Sequence, residues 1–227
     1  MNAAGNNQRR NSRAVFPEPE HPKGQTARAG RSPELHQERA VQTRLQVLEA
    51  AALLFDQRGY AGTSIKDVAD EVGMTKGAVY FHYPTKEALT IAVVEAHYAR
   101  WPLLLQAAQS KGLGPLDTLI ELLDQTAATF QDDPIVRGGA RLQMEQPLPK
   151  GTLPTPYVGW IELLRQLLAE AQEAGELREG VTPDAAANTL IATFFGTQHI
   201  ASRLDRRGEL VRRWADTREL LFYALRA

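Results

Sequence analysis

Residues Thr63 to Leu89 read TSIKDVADEVGMTKGAVYFHYPTKEAL. The stretch holds two short helical segments, a tight turn and the capped start of a third helix. Ser64 followed by Asp67 has capping-box spacing, in which a hydroxyl accepts an early backbone N–H and an acid three positions on favours the positive helix end. Ile65, Val68, Ala69 and Val72 recur at helical spacing, while Lys66, Asp67, Asp70 and Glu71 fall on the wet side. Gly73 can take the positive φ that ends a helix. Thr75 is a suitable N-cap for a second helix from Lys76 to about His82. Pro84 stops that helix, and Thr85 with Lys86 and Glu87 starts the next.

The second short helix opens with Lys76, Gly77 and Ala78, whose small side chains let the backbone come close to a partner. A recognition helix reads base edges from its N-terminal residues while its neighbours hold phosphates, so this start suits a DNA major groove. A plain helical hairpin inside an all-α core needs the same glycine turn and apolar faces, and pattern alone accommodates it too. Charge does not separate the two readings: Leu35 to Thr90 carries six Lys/Arg against seven Asp/Glu. Any positive footprint must come from arrangement on one face.

Working outward, Val41, Leu45, Leu48, Ala52 and Phe55 form one apolar stripe, which predicts a scaffold helix from about Pro33 to Arg58 ended by Gly59. Thr85 to Arg100 reads as a long connecting helix with Leu89, Val93 and Ala96 on one face. Pro102 is expected to kink or end it, because it lacks an N–H and clashes one turn back. Further helices are expected at Leu116 to Phe130, Pro134 to Met144, Tyr157 to Ala174, Pro183 to Leu204 and Glu209 to Arg226. No alternating strand pattern appears, so the expected fold class is all-α: a helix-turn-helix three-helix domain joined to a larger helical domain. The expected division is 1–34 tail, 35–92 DNA-binding domain and 93–227 ligand-binding and dimerisation domain.

The first 34 residues are rich in Asn, Gln, Pro, Gly and Arg and carry six Lys/Arg against three Asp/Glu. That composition predicts a disordered basic tail, either an arm along DNA phosphates or a passive extension. The 227-residue chain is 43% hydrophobic, enough for a sizeable core. It has no Cys, which excludes a disulfide framework, a thiol nucleophile and a thiol switch. No apolar run approaches the roughly 18 residues of a membrane span, and no apolar signal core opens the chain, so a cytoplasmic protein with no membrane partner is expected. There is no H-E-x-x-H, no G-x-S-x-G elbow and no phosphate-cradling glycine loop. Neither an enzyme nor a cofactor is expected.

The segment AAALLFDQRGYAGTSIKDVADEVGMTKGAVYFHYPTKEAL, within Gln42 to Tyr98, resembles the DNA-binding domain of the tetracycline-repressor (TetR) family almost throughout. GARLQ from Gly139, PTPYVGW from Pro154 and FFGTQHI from Phe194 resemble the actinomycete γ-butyrolactone receptors. Within that group, KGAVYFHYPTKEALTIAVVEAHYARWP and the C-terminal RELLFYALRA are most similar to the methylenomycin furan receptor branch. The resemblance covers nearly everything after Leu35. It implies a homodimeric repressor released from a pseudopalindromic operator by a small diffusible signal, of alkylfuran carboxylic acid or γ-butyrolactone/butenolide type, at antibiotic biosynthesis genes. The alternative class is an architectural protein or constitutive repressor with no ligand.

The expected DNA-facing set is Thr43, Ser64, Thr75, Lys76, Gly77, Ala78, Tyr80, His82 and Lys86, with Lys76 and Tyr80 toward the groove and Thr75, His82 and Lys86 on phosphates. Pocket candidates are polar or aromatic residues that interrupt apolar helical faces: Tyr98, Gln143, Tyr157, Trp160, Thr197, Gln198 and His199. Each alone could equally be a satisfied core residue. The resemblance implies that Trp160 takes the place of the receptors' pocket tryptophan, and that Tyr98, Gln143 and Tyr157 hold a carboxylate and a hydroxyl. It also implies that Pro183 to Leu204 and Glu209 to Arg226 form a four-helix bundle between protomers. Ala185, Ala186, Ala187 and Ala192 would allow close approach there, and Leu190, Phe194, Leu221 and Leu225 would supply apolar area. Simple core packing explains the same residues.

Overall fold

A computed structural model describes residues 33–204 and 206–227. The expected tail falls outside the described residues, apart from its last two, which open the first helix. Ten α-helices follow in chain order: α1 Pro33–Arg58, α2 Ile65–Glu71, α3 Lys76–His82, α4 Lys86–Tyr98, α5 Arg100–Gln109, α6 Pro115–Asp132, α7 Pro134–Glu145, α8 Val158–Glu173, α9 Pro183–Arg203 and α10 Leu210–Leu225. A 3-10 turn, Arg207–Glu209, precedes α10. The fold is all-α, and the described residues contain no strand beyond an isolated bridge between Leu177 and Arg226.

Local chemistry sets these boundaries. Ser64 Oγ accepts from the Asp67 N–H at 3.2 Å and the Ser64 N–H donates to Asp67 Oδ2 at 2.7 Å, the reciprocal cap expected at the start of α2. Thr75 caps Ala78 and Thr85 caps Ala88, opening α3 and α4. Proline stands in the first turn of α6, α7 and α9, where no N–H is missed. Pro102 both ends one helix and permits the next. It cannot donate to the Tyr98 carbonyl, so α4 stops at Tyr98, while Ala99 stays right-handed and the proline falls in the first turn of α5. The α5 helix is absent from the sequence expectations, which treated Pro102 as a kink or a stop.

Two apolar clusters organise the molecule. One joins α1, α2, α3 and α4 through Val47, Leu54, Phe55, Val68, Val79, Tyr83 and Leu89, and also takes Ile135 and Leu142 of α7. The other joins α5, α6, α8, α9 and α10 around Leu122, Phe130, Leu164, Leu190, Phe194 and Trp214. Helix α7 belongs to both, and packs on α1 and α4. Gly138 lies so close to α1 that a Cβ there would run into the Ala52 carbonyl oxygen, and a Cβ on Gly139 would run into His97 of α4.

The expected bundle residues divide. Ala186, Ala187, Leu190 and Phe194 are buried in the protomer's own core, and Leu221 and Leu225 pack against it. Helical periodicity turns them inward. Ala185 and Ala192 face outward, together with Leu220 and Tyr223, which are 76% and 81% exposed.

Candidate functional site

The expected reading head is α3, held by residues of α1. Val79 and Tyr83, one turn apart, point into the core, so residues between them must point out. Arg44 of α1 donates from Nη1 to the His82 carbonyl at 2.8 Å, satisfying an orphan acceptor at the end of α3, and its guanidinium lies 4.3 Å from the Tyr83 ring centroid. Tyr83 returns a hydrogen bond from its hydroxyl to the Arg44 carbonyl at 3.2 Å. With its inner face fixed, α3 presents Thr75, Lys76, Gly77 and Tyr80 on the surface. Ala78 and His82 are half-buried beside them. Among the described residues a Cβ on Gly77 would meet nothing closer than Thr75 Oγ1 at 3.9 Å, so no packing among them requires a glycine there.

Three expected DNA-facing residues differ in their surroundings. Ser64 spends its hydroxyl on Asp67, donating to Oδ2 at 2.6 Å. Thr43 is half-buried on α1. Lys86 is turned inward: its ammonium donates to the Tyr60 carbonyl at 2.5 Å and sits 3.7 Å from the Tyr60 ring centroid, and burial lowers its pKa. It ties α4 to the α1–α2 connection, so a phosphate contact would cost it those partners. Phe81, 82% exposed on α3, is a candidate reader missing from the expected set. Its position two residues from inward Val79 was legible, since two helical steps turn a side chain to the far side.

The second site is a cavity of about 540 Å³ between α4, α7, α8 and α9. Of the pocket candidates, Tyr98, Gln143, Tyr157, Trp160, Gln198 and His199 all line it. Thr197 does not: its hydroxyl donates to the Thr193 carbonyl at 2.8 Å, a bond within α9. Trp160 packs edge-on against Trp101 with centroids 5.0 Å apart, and Tyr157 lies 4.7 Å from Phe195, giving the cavity an aromatic wall. Tyr98 Oη donates to Gln143 Oε1 at 3.3 Å, while Gln143 Nε2 is buried without a hydrogen-bond partner among the described residues. Tyr157 Oη donates only to the thioether sulfur of Met144, at 2.6 Å, a weak acceptor. Burial raises both phenol pKa values, so both hydroxyls keep their protons as donors. A buried amide without a partner is costly, and here it borders open space that an acceptor could fill.

His97 completes the α4 side. Its Nδ1 lies 2.9 Å from the Val136 carbonyl, which can only accept, so that nitrogen carries the proton. Burial pushes its pKa down to about 4, leaving a neutral ring. The side of the cavity nearest α1 is charged, with Asp56, Arg137, Arg141, Glu145 and Arg207; sequence reasoning missed these because they lie up to 151 positions apart. Among the described residues no cluster of His, Asp and Glu suits a metal ion, and no helix is long and apolar enough to cross a membrane.

Comparison with known proteins matches this architecture half by half. Residues 47–93 match the family of bacterial regulatory proteins of the tetR type, and residues 113–226 match the tetracyclin repressor-like C-terminal domain. The A-factor receptor protein of Streptomyces griseus is 31% identical over 78% of this chain, and the match spans 63% of that receptor's length. A solved structure described as the molecular basis for control of antibiotic production by bacterial hormones is 53% identical, with TM-score 0.74 over 82% of this chain and 99% of that one. CprB of Streptomyces coelicolor, solved in complex with its biological operator sequence, is 30% identical, with TM-score 0.72 over 82% of this chain and 90% of that one. With both halves matched in order, the chain belongs to the TetR family of bacterial regulatory proteins, and its similarity lies with the γ-butyrolactone receptor group.

Proposed function

We propose that this protein is a homodimeric transcriptional repressor that leaves a pseudopalindromic operator when a small diffusible signal fills the cavity. The observation that carries the reading is the buried Gln143 Nε2, unpartnered among the described residues, in a cavity joined through α7 to the reading-head helices. An architectural protein or constitutive repressor has no use for an unsatisfied donor at the wall of a cavity. The proposed contacts to DNA are Lys76, Gly77, Tyr80 and Phe81 in the groove, with Thr75 and His82 on phosphates. CprB is a relative solved on its operator, which supports this half of the proposal. Dimerisation is typical of the family and is assigned to the outward faces of α9 and α10.

The signal we propose is an acid or lactone carrying an alkyl tail, with an alkylfuran carboxylic acid preferred. The aromatic wall suits the tail; Gln143 Nε2 has donors to spare for the head, and Tyr157 could exchange its weak thioether acceptor for it. Burying a carboxylate is tolerated only when its oxygens are hydrogen-bonded, and the loss of one such bond then weighs more than for a neutral ligand. Tyr98→Phe and Tyr157→Phe are each expected to weaken a furan acid by about 1.5–3 kcal/mol, against about 0.5–1.5 kcal/mol for a neutral lactone. Titrating an alkylfuran carboxylic acid and an alkyl γ-butyrolactone against the complex with an operator duplex selected from random DNA tests the reading. Release by lactone alone reverses the choice of signal, and release by neither removes the cavity's assigned role.

A further inference from the structure

Asp56 stands in the last turn of α1, the helix that clamps α3, and is only 6% exposed. Its Oδ2 accepts from Arg137 Nε at 2.9 Å and from Arg207 Nη1 at 2.7 Å. Its backbone carbonyl, one of the last four of α1, accepts from Arg141 Nη1 at 2.8 Å. One turn further along α7, Glu145 Oε2 accepts from the Tyr60 N–H at 2.8 Å. Arg137, Arg141 and Glu145 are spaced four apart, so a single face of α7 grips the end of α1. Arg207 comes from the turn between α9 and α10, and its Nε is buried without a hydrogen-bond partner among the described residues. The cavity is bordered at once by Asp56, Arg137 and Arg207 and by Tyr98, Gln143 and Tyr157.

A carboxylate shared by two guanidinium groups and largely shielded from water resists gradual adjustment. Neutralising Asp56 leaves two guanidinium groups side by side without a counter-charge, and losing Arg207 leaves Asp56 held from one side alone, so the cluster is pinned only while all three are in place. Any occupant of the cavity adjoins it directly. We propose that Asp56 is a positioning residue that couples occupancy of the cavity to the pose of the DNA-binding helices. It acts through Arg137 and Arg207, without itself touching DNA. The inference rests on the functional reading above and adds the route by which the signal is felt. Coupling is a ratio of affinities, so a residue that carries it can be told from one that merely supports the fold.

The test measures operator affinity with and without a saturating alkylfuran carboxylic acid or alkyl γ-butyrolactone, whichever releases the wild type, and takes the ratio. Asp56→Asn and Arg207→Gln are each expected to shrink that ratio at least fivefold. The double variant should shrink it no further than the stronger single one, because both break one cluster. Asp56→Glu should recover part of the ratio. Arg207, 35% exposed in its side chain, offers a variant that can fold even where the Asp56 change does not. Binding of the probe is followed separately by tryptophan fluorescence. Variants that bind the probe and keep the wild-type ratio overturn the inference while the functional reading stands. A wild type that neither probe releases overturns the functional reading and this inference with it.

Discussion

Gly77 shows how one residue separates a fold requirement from a functional one. Among the described residues nothing lies closer than 3.9 Å to where its Cβ would be, and glycine in a helix costs stability relative to alanine. Gly77→Ala is therefore expected to raise stability by about 0.5–1 kcal/mol, read by urea unfolding. If this face meets a groove, the same change should weaken operator binding by about 1–3 kcal/mol, the worth of one base contact, in a shift assay. Unchanged binding would place Gly77 off the DNA. His97 makes the opposite case, a polar residue whose state follows from burial. Its folded pKa near 4 lies below the ordinary 6.5, so the neutral ring contributes stability that is whole above pH 6.5 and is lost as pH falls toward 4. The loss should be on the order of 3 kcal/mol. His97→Gln should flatten stability between pH 7 and 4.5, and an unaltered acid slope would clear His97. Residues of this kind differ in legibility. Ser64, Thr75 and Thr85 were readable as caps because their partners lie three positions away. The partners of Lys86 and Asp56 lie 26 and 81 or more positions away, and no local rule reaches them.

At the scale of elements, α7 is the piece that joins the halves. Sequence reading offered only the Thr85 to Arg100 helix as the connection. The structure packs α7 against both α1 and α4, with Gly138 and Gly139 as the points of closest approach. Paired glycines inside a helix look like a weakness when only propensity is counted, and become intelligible once the facing backbone is known. Gly138→Ala is expected to cost about 1–3 kcal/mol despite alanine's better helix propensity, because the obstruction is the Ala52 carbonyl and a backbone oxygen cannot swing aside. Chemical denaturation reads the loss, and a neutral or stabilising result would mean that α1 and α7 can part without penalty. The same contrast explains α5. Its proline reads as a helix stop from one side and as a helix start from the other, and only the direction of the chain after Ala99 decides between them.

At the scale of the whole molecule, the chain has almost no net charge, so the operator binding proposed above would be built from geometry, with two reading heads set at a fixed separation. A two-fold dimer would place its α3 helices about one DNA turn apart, roughly 34 Å. The surface available for that dimer is the outward side of α9, with Ala185, Thr189 and Ala192 small and exposed, and of α10, with Leu220 and Tyr223. Their inward sides are already spent on the protomer core, which is why deleting inner residues such as Phe194 would report on folding and not on association. The informative change is outside. Leu220→Asp places a carboxylate on an apolar side chain that is 76% exposed in the single chain, so the protomer should keep its fold by circular dichroism. In a two-fold interface the substitution appears twice, desolvating two like charges together, and the dimer should fall apart at micromolar concentration in sedimentation equilibrium. If release changes the spacing of the reading heads and does not separate subunits, as the proposed function requires, the wild type should sediment as a dimer with and without signal. A Leu220→Asp protein that remains dimeric would move the interface off this face of α10. A wild type that becomes monomeric with signal would replace a change of spacing with dissociation as the means of release.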